Sequence, residues 1–170
     1  MNIVLLGYMG CGKTTIGKIL SKITGKNFID LDSYIESTTN QTISDLFSLK
    51  GDIYFRKLES DCLKVIMAEH DNIVLSLGGG TPCYSNNLTL IQNSKSFFLK
   101  HSINILSNRL INISSSRPIL SDIDNLDKMN DHIAKHLFER NYFYNQASNV
   151  IECDFKDQDE IANEIVSILA

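Results

Sequence analysis

Gly7-Tyr8-Met9-Gly10-Cys11-Gly12-Lys13-Thr14 fits the spacing G-x-x-x-x-G-K-[ST] at every position. That spacing suits one chemistry, the binding of a nucleotide polyphosphate. Glycines let the backbone curl until successive N–H groups face inward toward phosphate oxygens. A helix starting near Lys13 would add its positive end to that cradle. The Lys13 ammonium can reach the β- and γ-phosphates of ATP, and the Thr14 hydroxyl is a ligand of the kind Mg²⁺ takes. Gly10, Cys11, Gly12, Lys13, Thr14 and Thr15 are the expected nucleotide contacts, with Mg²⁺ as cofactor and ATP as co-substrate. The setting strengthens the pattern: the strand-like run Ile3-Val4-Leu5-Leu6 leads in and the helix-like residues 15–23 lead out.

Three further clusters could serve an acceptor. Asp30-Leu31-Asp32 closes a second strand-like run. Alternation along a strand would aim both carboxylates to one side, toward a metal and a substrate hydroxyl. Taken alone, the pair fits a helix N-cap followed by a surface charge just as well. Gly78-Gly79-Gly80 follows the strand-like residues 73–77. Bare backbone there lets a ligand approach closely, although a plain turn has the same composition. The third cluster is arginine, present only as Arg56, Arg109, Arg117 and Arg140. Its planar fork grips a carboxylate or phosphate through two parallel bonds. Arg56 has Glu59 three positions on, which alone reads as an ordinary helix-surface ion pair. Arg140 lies one helical turn after Leu137, near the inner face of its helix, where a stem lying along apolar surface with its head in water is the plain alternative.

Elements able to position these groups alternate along the chain. Strand-like runs fall at Ile3–Leu6, Asn27–Asp30, residues 73–77, residues 96–99 and Asn149–Glu152. Helical spacing recurs between them, most clearly through Phe55, Leu58, Cys62 and Ile66 across Asp52–Glu69, and again through Ile161, Ile165 and Leu169. The last of these helices is expected to carry Asp157, Asp159 and Glu160 in its first turn. Strands alternating with helices imply βαβ units and a parallel sheet, with ligands beyond the carboxyl ends of the strands. Residues 112–127 break the alternation. They are polar and irregular and hold Ser116-Arg117-Pro118, in which the proline pushes Arg117 away from helical geometry. A loop of that length in a compact unit reads as functional, a mobile lid.

Bulk properties narrow the field. The 170 residues suit one domain, and 43% hydrophobic content is enough for a packed core. A net charge of −4 argues against a nucleic-acid partner. No apolar run reaches the ~18 residues of a membrane helix, and the first residues lack the features of a signal peptide. A cytoplasmic monomer is expected. Cys11, Cys62, Cys83 and Cys153 are scattered without a C-x-x-C pair, which reads as free thiols. Cys11 precedes a helix and a lysine, a setting that favours thiolate; the plain alternative is a small packed filler. His70, His101, His132 and His136 stand outside every motif and read as structural or exposed.

Taken in order, the phosphate loop, Asp30-Leu31-Asp32, Phe55-Arg56-Lys57-Leu58-Glu59, Ser76-Leu77-Gly78-Gly79-Gly80, Ser116-Arg117-Pro118-Ile119-Leu120 and Arg140 with Tyr144 resemble the shikimate kinase family. The resemblance covers residues 3 to about 147. It implies the three-layer α/β P-loop fold of the nucleoside-monophosphate kinases, a five-stranded parallel sheet wrapped by helices. It also implies ATP, Mg²⁺ and shikimate as ligands. On matched positions, Lys13 would bind phosphates, and Thr14 and Asp30 would serve Mg²⁺. Asp32 would hold the shikimate hydroxyls and take the proton. Arg56, oriented by Glu59, and Arg140 would grip the carboxylate, and Gly78, Gly79 and Gly80 would line the pocket. Arg117 would meet the transferring phosphate, and Arg109 would pack near adenine. Where the family often places a second arginine near its C-terminal strand, this chain offers only Lys156. Two alternatives stand beside this reading: a gluconate kinase or other small-metabolite kinase, and a nucleotide-dependent switch protein.

Overall fold

The computed structural model describes residues 1–111, 123 and 125–170. Five strands, β1 (Ile3–Leu6), β2 (Asn27–Asp30), β3 (Ile73–Ser76), β4 (Lys95–Lys100) and β5 (Asn149–Glu152), form one sheet in the order β2-β3-β1-β4-β5. Every pairing is parallel. The helices are α1 (Lys13–Thr24), α2 (Leu31–Thr39), α3 (Ile43–Lys50), α4 (Asp52–Glu69), the short α5 (Asn87–Leu90), α6 (Ile103–Ile111), α7 (Leu126–Tyr144) and α8 (Gln158–Leu169). The fold is thus the α/β, parallel-sheet architecture expected from the alternation.

β1 is buried at all four positions because helices cover both faces of the sheet. Ile3 and Leu5 enter one core with Ile16 of α1, Leu110 of α6, Ile133 of α7 and Ile165 of α8. Val4 and Leu6 enter the other with Leu31 of α2, Leu46 of α3 and Leu63 of α4. β1 is the central strand, with β3 on one side and β4 on the other; the chain runs from β1 to β2 on the β3 side and later crosses from β3 to β4 on the opposite side. Crevices for ligands open at the carboxyl ends of strands at such a reversal. The phosphate loop follows β1 there, and the triple glycine follows its neighbour β3.

Differences from expectation are local. β3 ends at Ser76, although the Leu77 N–H still bonds the Leu5 carbonyl at 3.1 Å. Asp157 is not in the first turn of α8 but is its N-cap, in a reciprocal capping box with Glu160. The irregular segment was expected to run to Asp127, but α7 already begins at Leu126. The Asn125 side chain accepts the Lys128 N–H at 2.9 Å, a cap that starts the helix early. Residues 112–122 and 124 of the expected lid, Arg117 among them, lie outside the described residues.

Candidate active site

Gly10 and Gly12 hold φ of 79° and 96°, values that side chains with a Cβ resist, and so the loop after β1 can wrap. Gly12 is also the N-cap of α1 and provides no side-chain cap. The first amides of α1, from Lys13, Thr14 and Thr15, are therefore left to an anionic ligand. The Lys13 ammonium donates to the Gly7 carbonyl at 2.8 Å and the Tyr8 carbonyl at 3.0 Å, folded over its own loop. Cys11 differs from the other predicted contacts. Its N–H closes a turn onto the Tyr8 carbonyl at 3.2 Å, and its side chain is buried.

A cleft of about 420 Å³ runs from this loop past Gly10, Gly12, Lys13, Thr14 and Thr15 to Asp30, Asp32, Arg56, the three glycines and Arg140. One space therefore collects predicted residues from five separate stretches of sequence. Asp30 and Asp32 reach it differently from the expectation. β2 ends at Asp30, which caps α2 by accepting the Ser33 N–H at 3.3 Å, and Asp32 lies in the first turn of that helix. The alternation argument fails because the backbone is already helical at Leu31. The plain N-cap alternative correctly describes Asp30's backbone, yet both carboxylates line the cleft.

Thr14 donates to Asp30 Oδ2 at 2.7 Å. Among the described residues no three His, Cys, Asp or Glu side chains form a self-sufficient metal cage. Mg²⁺ needs no such cage, since it keeps waters and takes phosphate oxygens. A hydroxyl and a carboxylate side by side next to the phosphate loop fit that requirement.

The glycines of the second motif do not serve an unusual backbone: Gly78, Gly79 and Gly80 are absent from the left-handed residues. They make room. A Cβ on Gly80 would stand 2.7 Å from both terminal nitrogens of Arg56, and one on Gly78 would stand 2.7 Å from Glu59 Oε1 and 3.1 Å from Asp32 Oδ1. What approaches the bare backbone is therefore the protein's own Arg56, Glu59 and Asp32 side chains. Arg56 donates to Glu59 Oε2 at 2.9 Å, and the other Glu59 oxygen accepts the Thr81 hydroxyl at 2.6 Å. Glu59 is only 1% exposed, so this is a buried, doubly bonded pair rather than a surface one. The Arg56 guanidinium also lies over Phe47 and Phe55, 5.7 and 5.2 Å from their ring centres. Phe47 carried no signal in the sequence because α3 meets α4 only through tertiary packing. Arg140 lies over the Tyr8 ring at 5.6 Å, and the Tyr144 hydroxyl donates to the Gly79 carbonyl at 2.5 Å.

A second cavity, about 360 Å³, opens on the other side of Gly12 and is lined by Cys11, His101, Arg109, Lys156 and the start of α8. Arg109 and Lys156 thus come together beside the phosphate loop, with Lys156 paired to Glu164 at 2.6 Å. His101, read as structural or exposed, is buried in the wall of this cavity. No local pattern marks it, because its partners Asp154 and Cys11 lie 53 and 90 positions away.

Two predictions follow from burial in this region. Cys11 is 1% exposed, so the packed-filler alternative describes it. The half-buried Cys83 thiol is pushed up to about 11 by burial, against the pull of Arg140 and Arg56. Limited alkylation followed by peptide mass spectrometry is expected to label Cys83 slowly and Cys11 less still, with or without MgATP. Rapid labelling of Cys11 that MgATP suppresses would contradict its packing. The second concerns His136, whose Nδ1 is hydrogen-bonded to the Tyr8 hydroxyl at 2.8 Å. Burial first, then Arg140, push His136 down to about 4 from an ordinary 6.5. The unfolded chain therefore takes up this proton first. The stabilisation is complete above 6.5 and is lost as pH falls toward about 4. The thermal midpoint is expected to fall across that window, and to fall less in His136→Asn; parallel calorimetric curves would exclude His136 as the cause.

A phosphate loop between the central strand and the first helix of a parallel sheet defines the class: this is a P-loop nucleotide-binding fold. The family model for shikimate kinase matches residues 9–170, and the chain belongs to the shikimate kinase family. The shikimate kinase of Flavobacterium johnsoniae is 46% identical over 99% of this chain and 98% of its own. That of Flavobacterium psychrophilum is 41% identical over 98% of each chain. Among solved structures, the shikimate kinase of Bacteroides thetaiotaomicron superposes with a TM-score of 0.90 at 35% identity, covering 99% of this chain and 98% of its own. The Acinetobacter baumannii enzyme, determined in complex with shikimate, superposes at 0.88 with 28% identity, over 99% and 92%.

Proposed function

We propose that this chain transfers the γ-phosphoryl group of ATP to the 3-hydroxyl of shikimate, a step of aromatic amino-acid biosynthesis. The observation that carries the reading is the single cleft in which the phosphate loop faces two carboxylates and two arginines. Shikimate is a carboxylate bearing vicinal hydroxyls, and those groups are what such a wall can recognise.

Transfer of this kind depends on positioning and on neutralising charge. Arg56 and Arg140 bind the carboxylate, Arg56 being held rigid by Glu59 and the two phenyl rings. Asp32 accepts a hydrogen bond from the acceptor hydroxyl and orients it in line. Lys13 exchanges at least one of its loop carbonyls for phosphate oxygen, and the amides of Gly10, Gly12, Thr14 and Thr15 complete the cradle. Mg²⁺, held through Thr14 and Asp30 together with water and phosphate, would neutralise the negative charge of the triphosphate. Arg109 meets the base side of the nucleotide. Arg117 acts from a lid that excludes water as a competing acceptor. The chain works as a single domain and a monomer in the cytoplasm. Among the described residues no helix is long and apolar enough to cross a membrane.

A coupled ADP-release assay across shikimate, gluconate, nucleoside monophosphates and no acceptor tests the proposal. ADP release should depend on shikimate. Equal release without an acceptor would favour a nucleotide-dependent switch, and gluconate dependence would move the chain to another acceptor.

A further inference from the structure

His101 stands where three segments distant in sequence meet. Its Nδ1 is 3.1 Å from Asp154 Oδ1, and its Nε2 is 3.1 Å from an Arg109 terminal nitrogen and 3.3 Å from the Cys11 carbonyl. The side chain is 1% exposed. Partners assign the proton. Arg109 can only donate, so Nε2 must accept and the ring proton sits on Nδ1, donated to Asp154. Asp154 is itself fixed by the Ser102 N–H at 3.0 Å. The same Arg109 nitrogen gives its other proton to the Gly10 carbonyl at 3.2 Å, inside the phosphate loop.

We propose that His101 is a positioning residue for nucleotide binding: anchored by Asp154, it locks Arg109 to the phosphate loop, so that the guanidinium meets the nucleotide already ordered. This deepens, and rests on, the reading of Arg109 as a nucleotide contact. Arg109 is an exposed side chain. Ordering so long a side chain on binding costs entropy that a pre-formed bond to His101 removes beforehand. The device requires the neutral ring. An imidazolium would set an N–H against Arg109 and turn to the Cys11 carbonyl instead. The charged neighbours that bear on the ring are Arg109 from α6, Asp154 after β5, and Lys156, Asp157 and Asp159 around α8. Burial first, and then Arg109, hold His101 below its ordinary 6.5, against the opposing pull of Asp154. The Asp154 carboxyl stays below its usual range because bonds from Ser102 and His101 outweigh burial, the largest single influence on it.

The test is ADP affinity by calorimetry for the wild type, Arg109→Met, His101→Phe and the double variant. Each single change should weaken ADP about 5-fold, the worth of one hydrogen bond, while shikimate affinity holds. The double variant should be no weaker than Arg109→Met alone. In the wild type, ADP affinity should fall as pH drops below 6.5, and that fall should be smaller in His101→Phe. Unchanged affinity in Arg109→Met would remove Arg109 from the nucleotide site and the proposal with it. Additive losses, or a loss in Arg109→Met alone, would overturn the proposal while leaving the nucleotide reading of Arg109 standing. Should His101→Phe fail to fold, nitrogen NMR of the wild-type imidazole decides. An Nδ1–H tautomer whose titration tracks the loss of ADP affinity supports the proposal, and an Nε2–H tautomer overturns it.

Discussion

Lys13→Ala is expected to abolish measurable phosphoryl transfer, with kcat falling by roughly 10³-fold, while the protein stays folded. The ammonium is the one side-chain cation that projects from the phosphate loop into its own cradle, 2.8 and 3.0 Å from two loop carbonyls. Those carbonyls can bond water once the lysine is gone, since the cleft is open to solvent, so the loss to stability is small. The loss to the reaction is large, because no other group in the loop can follow charge onto the γ-phosphoryl. Steady-state kinetics, with circular dichroism to verify folding, make the measurement. Near-normal turnover in a folded variant would refute the phosphate-site reading.

Arg56→Lys is expected to lower kcat/KM for shikimate by at least ~10-fold, about 1.4 kcal/mol, with nucleotide affinity unchanged. Lysine is the informative substitution. Alanine would leave Glu59 buried without its partner, a change that typically costs about 3–5 kcal/mol and would confuse folding with function. Lysine keeps the charge beside Glu59 but cannot make two parallel bonds to a carboxylate, nor spread a planar group across Phe47 and Phe55. A defect confined to ATP would place Arg56 in the wrong half of the cleft.

Much of this molecule was legible before its structure. Phosphate-loop spacing, alternating strand and helix periods, and the bounds of Asp52–Glu69 depend on neighbours a few residues apart, and local patterns record such neighbours faithfully. The resemblance carried the acceptor, because several motifs in fixed order specify more than any one of them. Local reasoning failed where two elements abut. Strand alternation would set Asp30 and Asp32 on one side, yet the capping bond from Ser33 accompanies a chain already helical at Leu31, between them. The polar run through Asp127 reads as loop, whereas Asn125 already caps a helix that begins at Leu126.

By itself the sequence determined the chemistry available: a glycine-rich phosphate-loop pattern with its lysine and threonine, a close pair of carboxylates, four arginines, and the period of the elements that carry them. Only the tertiary structure decided which groups meet. It laid Phe47 of α3 against Arg56 of α4, packed Arg56 and Glu59 against glycines that follow β3, and buried Cys11 beneath its own loop. It also brought His101, Arg109 and Asp154 around one ring. These contacts join residues separated by up to 53 positions, as His101 and Asp154 are. The physical reason is that periodicity reports which face of an element is buried, whereas the partner on that face is selected by sheet order and helix packing, to which no window of neighbouring residues has access.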